Sequence, residues 1–278
     1  MAVFVTKADG TRQVFMREKV VQTCLRLGAS RDIAEDVVRK VEGKIYDGIE
    51  TKTILQMVFR FLSKRRAAIK HMIDLRRALS LIKSQPNFEQ FIQLLLREQG
   101  YEVTPNQIIQ GKCVEHEVDA IARKDGETYI VEVKHHANHH TPTGLDEGRI
   151  ARAVLEDVTD AFKLGVSSLQ VDNAMIVCNT KLSDHAKRYT QCRDIHHLCW
   201  GSPPEHNLQM IIDAHKLYPI TCLKGVRNDA RTRLASAGIL LLKQLITHDT
   251  EDLSQQTGIP REALAQLTKK ARMILEDQ

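Results

Sequence analysis

No stretch of this 278-residue chain approaches the roughly 20 consecutive apolar residues that a membrane-crossing helix needs, so no membrane association is expected. The first residues carry Lys7, Arg12, Arg17 and Lys19 with no apolar h-region, so no secretory signal is read and the cytoplasm is the expected location. Cysteine is sparse: the six residues 24, 113, 178, 192, 199 and 222 lie far apart with no C-x-x-C. That spacing argues against a disulfide framework or a zinc site and for reduced thiols. A G-x-x-x-x-G-K-[ST] phosphate loop is missing, so motor ATPase activity is not expected. Internal repeats are also missing, apart from a faint echo of two helical hairpins near the end.

What is present is ordinary in bulk and uneven in detail. Hydrophobic residues make up 42% and charged residues 27%, enough to bury a core without staples. The length suggests two domains, or three small ones. The net charge of +5 hides an asymmetry. Basic residues outnumber acidic ones two to one over 1–83, acidic residues lead over 84–217, and 218–278 is mildly basic. Basic surface attracts phosphates and a carboxylate-rich segment can hold a hard cation, although solvated faces would look the same.

Residues 2–6 and 12–15 read as two short strands around Ala8-Asp9-Gly10, a hairpin signal. Helices are expected at 17–27, from the N-cap Ser30, from Thr51, and over 67–82. The breaker cluster Ser84-Gln85-Pro86-Asn87 marks a first boundary, and Asn87 is placed to cap a helix bearing Phe88, Phe91, Ile92 and Leu95. A strand at 115–123, a turn at 124–127, a strand at 128–134, a polar loop and a helix at 146–164 follow. Next come a strand at 174–178, a helix at 183–191, a short strand and a helix at 207–215. Tyr218-Pro219 marks a second boundary, after which the chain reads as helical. The expected class is a multi-domain α/β protein divided at 1–83, 84–217 and 218–278: a mainly helical head with a small sheet, an α/β core and an all-α tail.

The middle segment carries the chemistry. Side chains alternate along a strand, so Glu115, Glu117 and Asp119 share one face of VEHEVDAIA, and Ile130, Glu132 and Lys134 share one face of YIVEVK. Two adjacent antiparallel strands then present Asp119, Glu132 and Lys134 together. Carboxylates in the middle of apolar strands are costly to bury unpaired. A divalent metal beside a lysine would satisfy them, and Mg2+ on oxygen ligands suits phosphodiester hydrolysis. The competing reading is a pair of sheet-edge carboxylates with Lys134 as their salt-bridge partner.

The order FEQFIQLLLREQGYEV, EHEVDAIA, YIVEVK, a long helix, and AMIVCNTKLSDHAKRY resembles the Mrr-like branch of the restriction-endonuclease-like fold over 86–217. The resemblance implies a metal-binding Asp at Asp119 and an E-x-K pair at Glu132 and Lys134, with Asp119 and Glu132 as metal ligands. The acidic residue that many members place on the first helix would be Glu89. It also implies endonuclease activity on DNA with Mg2+ or Mn2+, and a homodimer if both strands are cut. One departure is the loop holding His135, His136, His139 and His140. These could bind a softer metal such as Zn2+, His136 first among them, but read more simply as a polar loop. Arg149 and Arg152 open the next helix and are either phosphate contacts or solvated surface.

The head, VFVTKADGTRQVFMREKVV with IETKTI and LRRAL, resembles an ATP-cone, the nucleotide-sensing domain of ribonucleotide reductases and of a repressor of their genes. The resemblance implies ATP or dATP binding, as effector, at Lys7, Arg12, Lys19 and Thr51. Ala8 and Leu55 depart from the family's basic residue and histidine. The competing reading, favoured by the run Lys64-Arg65-Arg66, is a domain that docks DNA by charge alone. The tail resembles helix-hairpin-helix modules at Lys224-Gly225-Val226 and Thr257-Gly258-Ile259, which implies phosphate contacts through backbone N–H groups, with Arg227 replacing a usual glycine. Together these give a DNA endonuclease regulated by ATP. The alternative is a nucleotide-responsive DNA-binding regulator on an inactive nuclease fold.

Overall fold

The structure, a computed structural model, describes residues 2–27, 29–65 and 67–276; Arg66 of the basic run lies outside the described residues. By its contacts the chain forms two compact units, 1–73 with 222–278, and 74–221. Among the described residues no helix is long and apolar enough to cross a membrane.

The first unit opens with a hairpin of β1 (Phe4–Thr6) and β2 (Arg12–Val14). Its turn closes because Gly10 takes φ 80° and Asp9 accepts the Thr11 backbone N–H at 2.9 Å. Helices α1 (Arg17–Arg26) and α2 (Arg31–Glu42) follow, the latter capped by Ser30, whose Oγ accepts the Ile33 N–H. Ala34, Val37, Val38 and Val41 repeat at helical spacing on the buried face of α2. Strand β3 (Ile49–Glu50) pairs parallel to β1, giving the sheet order β2-β1-β3, and leads directly into α3 (Thr51–Leu62).

The second unit begins with α4 (Leu75–Ser80), a one-and-a-half-turn helix capped by Asp74. The helix expected over 67–82 is therefore broken: residues 67–71 form a 3-10 turn, and Met72 bridges to Leu223 instead. Asn87 does not cap α5 (Glu89–Glu98), whose entry is a wide turn over Ser84–Phe88 with no side-chain cap. Phe88, Phe91, Ile92, Leu95 and Leu96 are buried as the spacing requires.

Strands β4 (Glu102–Gln110), β5 (Glu115–Lys124) and β6 (Glu127–Lys134) form an antiparallel meander. After α6 (Leu145–Lys163) the parallel strand β7 (Asn173–Cys178) joins β6, and after α7 (Asp184–Cys192) the parallel β8 (His196–Cys199) completes a five-stranded sheet in chain order. Helix α8 (Leu208–Ala214) follows. This mixed sheet flanked by helices is consistent with a restriction-endonuclease-like α/β core.

The first unit resumes with α9 (Asn228–Ser236), α10 (Leu242–Thr247), α11 (Thr250–Thr257) and α12 (Arg261–Glu276). The tail joins the head through backbone: Ile73 N–H donates to the Cys222 carbonyl at 2.9 Å and Lys224 N–H to the His71 carbonyl at 2.7 Å. Among the described residues no disulfide links the six cysteines, four of which are buried.

Candidate active site

The site forms where the sheet loses its ladder. Asn106 of β4 sits opposite Asp119, but its left-handed backbone (φ 46°) interrupts the pairing between Pro105–Ala120 and Gln107–Val118. On the other side, β5 and β6 pair only from Ala120–Val131 outward. Asp119 thus lies just beyond the last paired rung on that flank. Its own side chain completes the hydrogen bonding there: Oδ2 accepts the Val133 N–H at 2.6 Å, and its carbonyl accepts Gln93 Nε2 of α5 at 3.4 Å. The parted strands leave Asp119 and the Glu132 face accessible beside α5.

Glu132 and Lys134 project from one face of β6. Lys134 Nζ donates to Glu132 Oε1 at 2.8 Å and stands 3.3 Å from Oε2 of Glu147 in the first turn of α6. All three side chains are between a quarter and a third exposed. The Glu147 contact is an ion pair off the hydrogen-bonding direction, so its Oε2 is a buried oxygen with no hydrogen bond. Glu89, almost fully buried at the start of α5, completes the acidic group.

The electrostatics are those of too many carboxylates for one cation. Burial raises the Asp119 pKa, and Glu89 and Glu117 raise it further. Burial likewise raises Glu132, with Asp119 and Glu147 adding to it, and raises Glu89, with Glu117 and Glu132 adding to it. The Lys134 pKa is raised as well, which in a lysine favours the charged form: burial lowers it, but its pairing with Glu132 and Glu147 outweighs that. The ammonium is therefore fixed as a cation.

Among the described residues no three His, Cys, Asp or Glu side chains form a ready cage. Mg2+, however, is commonly held by one or two carboxylates, with waters and substrate phosphate filling the remainder. The mutual repulsion of Asp119, Glu132 and Glu89, and the buried Glu147 oxygen without a hydrogen bond, fit an added hard cation.

The structure brings Asp119, Glu132, Lys134 and Glu89 into one electrostatic group. Glu147 was missed by the sequence reading. Two loop histidines are tied into the scaffold. The Leu79 carbonyl can only accept, so His135 Nε2 carries the proton and donates to it at 3.0 Å, while Nδ1 accepts the Ser84 hydroxyl at 2.8 Å. The backbone of His136 exchanges two hydrogen bonds with the Asn179 side chain, and its Nε2 meets Thr143 Oγ1 at 3.1 Å. Arg149 pairs with Asp146 and Arg152 with Glu156.

In the first unit the parallel register of Thr6 with Glu50 sets Lys7 beside Thr51, and Arg12 lies across from Thr6. Lys19 Nζ donates to Gln13 Oε1 at 3.3 Å, next to Arg12. Arg12 is itself paired to Asp47 at 2.5 Å. In the tail, amides expected to face phosphate are engaged internally: Lys224 N–H with His71, Gly258 N–H with Ser254 and Ile259 N–H with Thr257 Oγ1. Phosphate binding through those three amides is accordingly corrected.

Comparison with known proteins adds the following. Residues 83–198 match the Mrr catalytic family, described as restriction endonuclease, and residues 218–275 match the AF1548-like C-terminal family. An uncharacterized protein of Archaeoglobus fulgidus is 32% identical over 181 residues, covering 65% of this chain and 98% of that protein. A second uncharacterized protein of the same organism is 50% identical over 38 residues, 14% of this chain and 81% of that protein. The solved structure titled "Crystal Structure of Protein of Unknown Function AF1548" superposes with a TM-score of 0.58 at 29% identity, covering 69% of this chain and 98% of that one. The restriction-endonuclease-like domain points to a nuclease, with DNA as the substrate that such a domain implies.

Proposed function

This chain belongs to the AF1548-like family, and from that premise we propose that it is a divalent-metal-dependent endonuclease hydrolysing DNA phosphodiester bonds. The observation that carries the reading is the interrupted ladder at Asp119, which gathers Asp119, Glu132, Glu89 and Lys134 beside a restriction-endonuclease-like sheet. Asp119 and Glu132 would hold Mg2+ or Mn2+, which when bound polarises the phosphate and acidifies a water. Lys134, kept protonated by Glu132 and Glu147, offsets the charge that develops on the phosphate rather than acting as a base. Glu89 adds negative potential that favours the metal.

ATP or dATP is the proposed effector, bound by Lys7, Arg12 and Lys19 together with Thr51 at the start of α3. Titration calorimetry with no heat from either nucleotide would remove that part of the reading. The tail's proposed DNA contact rests on side chains: Lys70, Lys224 and Lys270 crowd His71 and lower its pKa beyond the effect of burial. Two chains acting together would cut both strands.

The test is supercoiled plasmid with Mg2+, with and without ATP, beside Glu132→Ala and Lys134→Ala. Cleavage lost in both variants supports the nuclease. DNA binding without cleavage in any metal would assign the chain instead to nucleotide-responsive regulation on an inactive fold.

A further inference from the structure

Helix α4 is only six residues long, and side chains fix its place in the second unit. Asp74 accepts the Arg77 backbone N–H at 3.0 Å and caps it. His135, the residue after Lys134, donates to the Leu79 carbonyl at 3.0 Å. The helix is thereby tied to the strand exit that carries the candidate catalytic lysine.

On this helix Arg76 is half-buried, and its Nε is a buried donor with no hydrogen-bond partner. The carboxylate that acts on it, Asp74, is occupied as the cap, and Arg76 makes no ion pair within the described residues. Arg77 beside it is exposed. His139, from the loop after Lys134, stands within electrostatic reach of both arginines, and its ring lies against that of His140, the centroids 4.2 Å apart and the planes tilted by 41°. Burial lowers both the Arg76 guanidinium and the His139 imidazole from their ordinary pKa values. A desolvated guanidinium without an acceptor is costly. Its planar fork matches a phosphate better than any other common anion except a carboxylate.

We propose that Arg76 and Arg77, with His139 and His140, form a subsite for a backbone phosphate of the DNA substrate beside the scissile bond. It rests on the nuclease reading of Asp119, Glu132 and Lys134, whose strand leads directly into this loop. Two cations on one helix and two imidazoles on the facing loop hold the strand by charge and donors alone. The subsite therefore fixes the register of the backbone and reads no base.

The experiment is fluorescence anisotropy of a labelled duplex with the full chain in EDTA, where binding is read without cleavage, across a series of salt concentrations. Arg76→Gln is expected to weaken binding by about 10-fold, and the Arg76→Gln/Arg77→Gln pair to flatten the slope of log affinity against log salt by about 1. Arg76→Lys, which keeps the charge and loses the fork, should fall between Arg76→Gln and the wild type. Arg77→Gln, on an exposed side chain, carries the test if Arg76 variants do not fold, and a weakening of about 3-fold is its expected result. Unchanged affinity and slope in folded variants, with the wild type binding, would overturn the subsite and leave the nuclease reading standing. No duplex binding by the wild type would remove both. Inorganic phosphate bound by the wild type and lost in Arg76→Gln, with duplex affinity unchanged, would mark a free-anion site and overturn the assignment to substrate.

Discussion

Lys134 is held between Glu132 at 2.8 Å and Glu147 at 3.3 Å, and this decides what it can do. Two carboxylates keep it charged and limit where its ammonium can point. Glu147→Gln leaves Glu132 as its remaining partner. Groups that orient a functional side chain from behind typically contribute 10–100-fold, so plasmid cleavage should fall by about that factor with Mg2+ binding largely retained. An unaltered rate would show that Glu147 is only a helix-start carboxylate. A second residue of the same unit has a clear pH signature. Asp157 of α6 accepts from His116 Nε2 at 2.8 Å and from the Cys113 backbone N–H at 2.9 Å. Those contacts, His116 first, pull its carboxyl from 3.8 to about 2. Because the folded value is depressed, the stability it contributes is fully present above its ordinary value and is lost as pH falls toward about 2. The melting temperature of Asp157→Asn should therefore lie below that of the wild type at neutral pH, with the gap narrowing in acid. A gap that widened on acidification would contradict this assignment.

The element that Asp157 clamps is the β4–β5 turn, and Gly111 is the tightest point in it. A Cβ there would lie 2.0 Å from Asp157 Oδ2 and 2.6 Å from the Val114 carbonyl. Gly111→Ala must push the turn off α6. Overpacking of this kind costs about 1–3 kcal/mol, and each kcal/mol lowers the melting temperature by roughly 2–4 °C, which calorimetry would read. Strand β4 itself was not legible in the sequence. EVTPNQIIQ lacks a clean alternation and contains Pro105, which an edge strand tolerates and a central one does not. Strands β5 and β6 were legible because DAIA and YIVEV pair apolar runs across a Lys124-Asp125-Gly126-Glu127 turn; alternation set Asp119 on one face with Glu115 and Glu117, and Glu132 with Lys134 on another, and the Mrr-like resemblance singled out the three. Glu147 was not. It stands thirteen residues beyond Lys134, across a polar loop, where an acidic first helical turn reads as a complement to the helix dipole. Only the docking of α6 on the sheet turns it toward the lysine. Helix α4 failed for a similar reason: its start depends on the Asp74 cap, and the residues before it pair with Leu223, far away in sequence.

At the scale of the molecule, composition divides the chain by charge into head, middle and tail, whereas its contacts group head with tail. The unit 74–221 is contiguous and has its own sheet and its own apolar core around Val118, Ile130, Leu155 and Ile176. The other unit is discontinuous and closes through Ile73–Cys222 and Lys224–His71 backbone hydrogen bonds and the packing of α12 on the 67–71 turn. A contiguous unit whose ends meet behaves as an inserted domain, and an inserted domain folds without its host more readily than the host folds without its second half. Residues 74–221 expressed alone should therefore melt cooperatively and keep metal-dependent cleavage. Residues 1–73 alone should not fold, because the backbone partners of residues 71 and 73 lie beyond 221. Hydrogen exchange reports both: slow amides in β5, β6 and β7 of the isolated 74–221 segment, and loss of protection in β1 and α2 once 222–278 is removed. If the head remained protected without the tail, it would be a domain in its own right, and the charge boundaries of the sequence would be the physical ones.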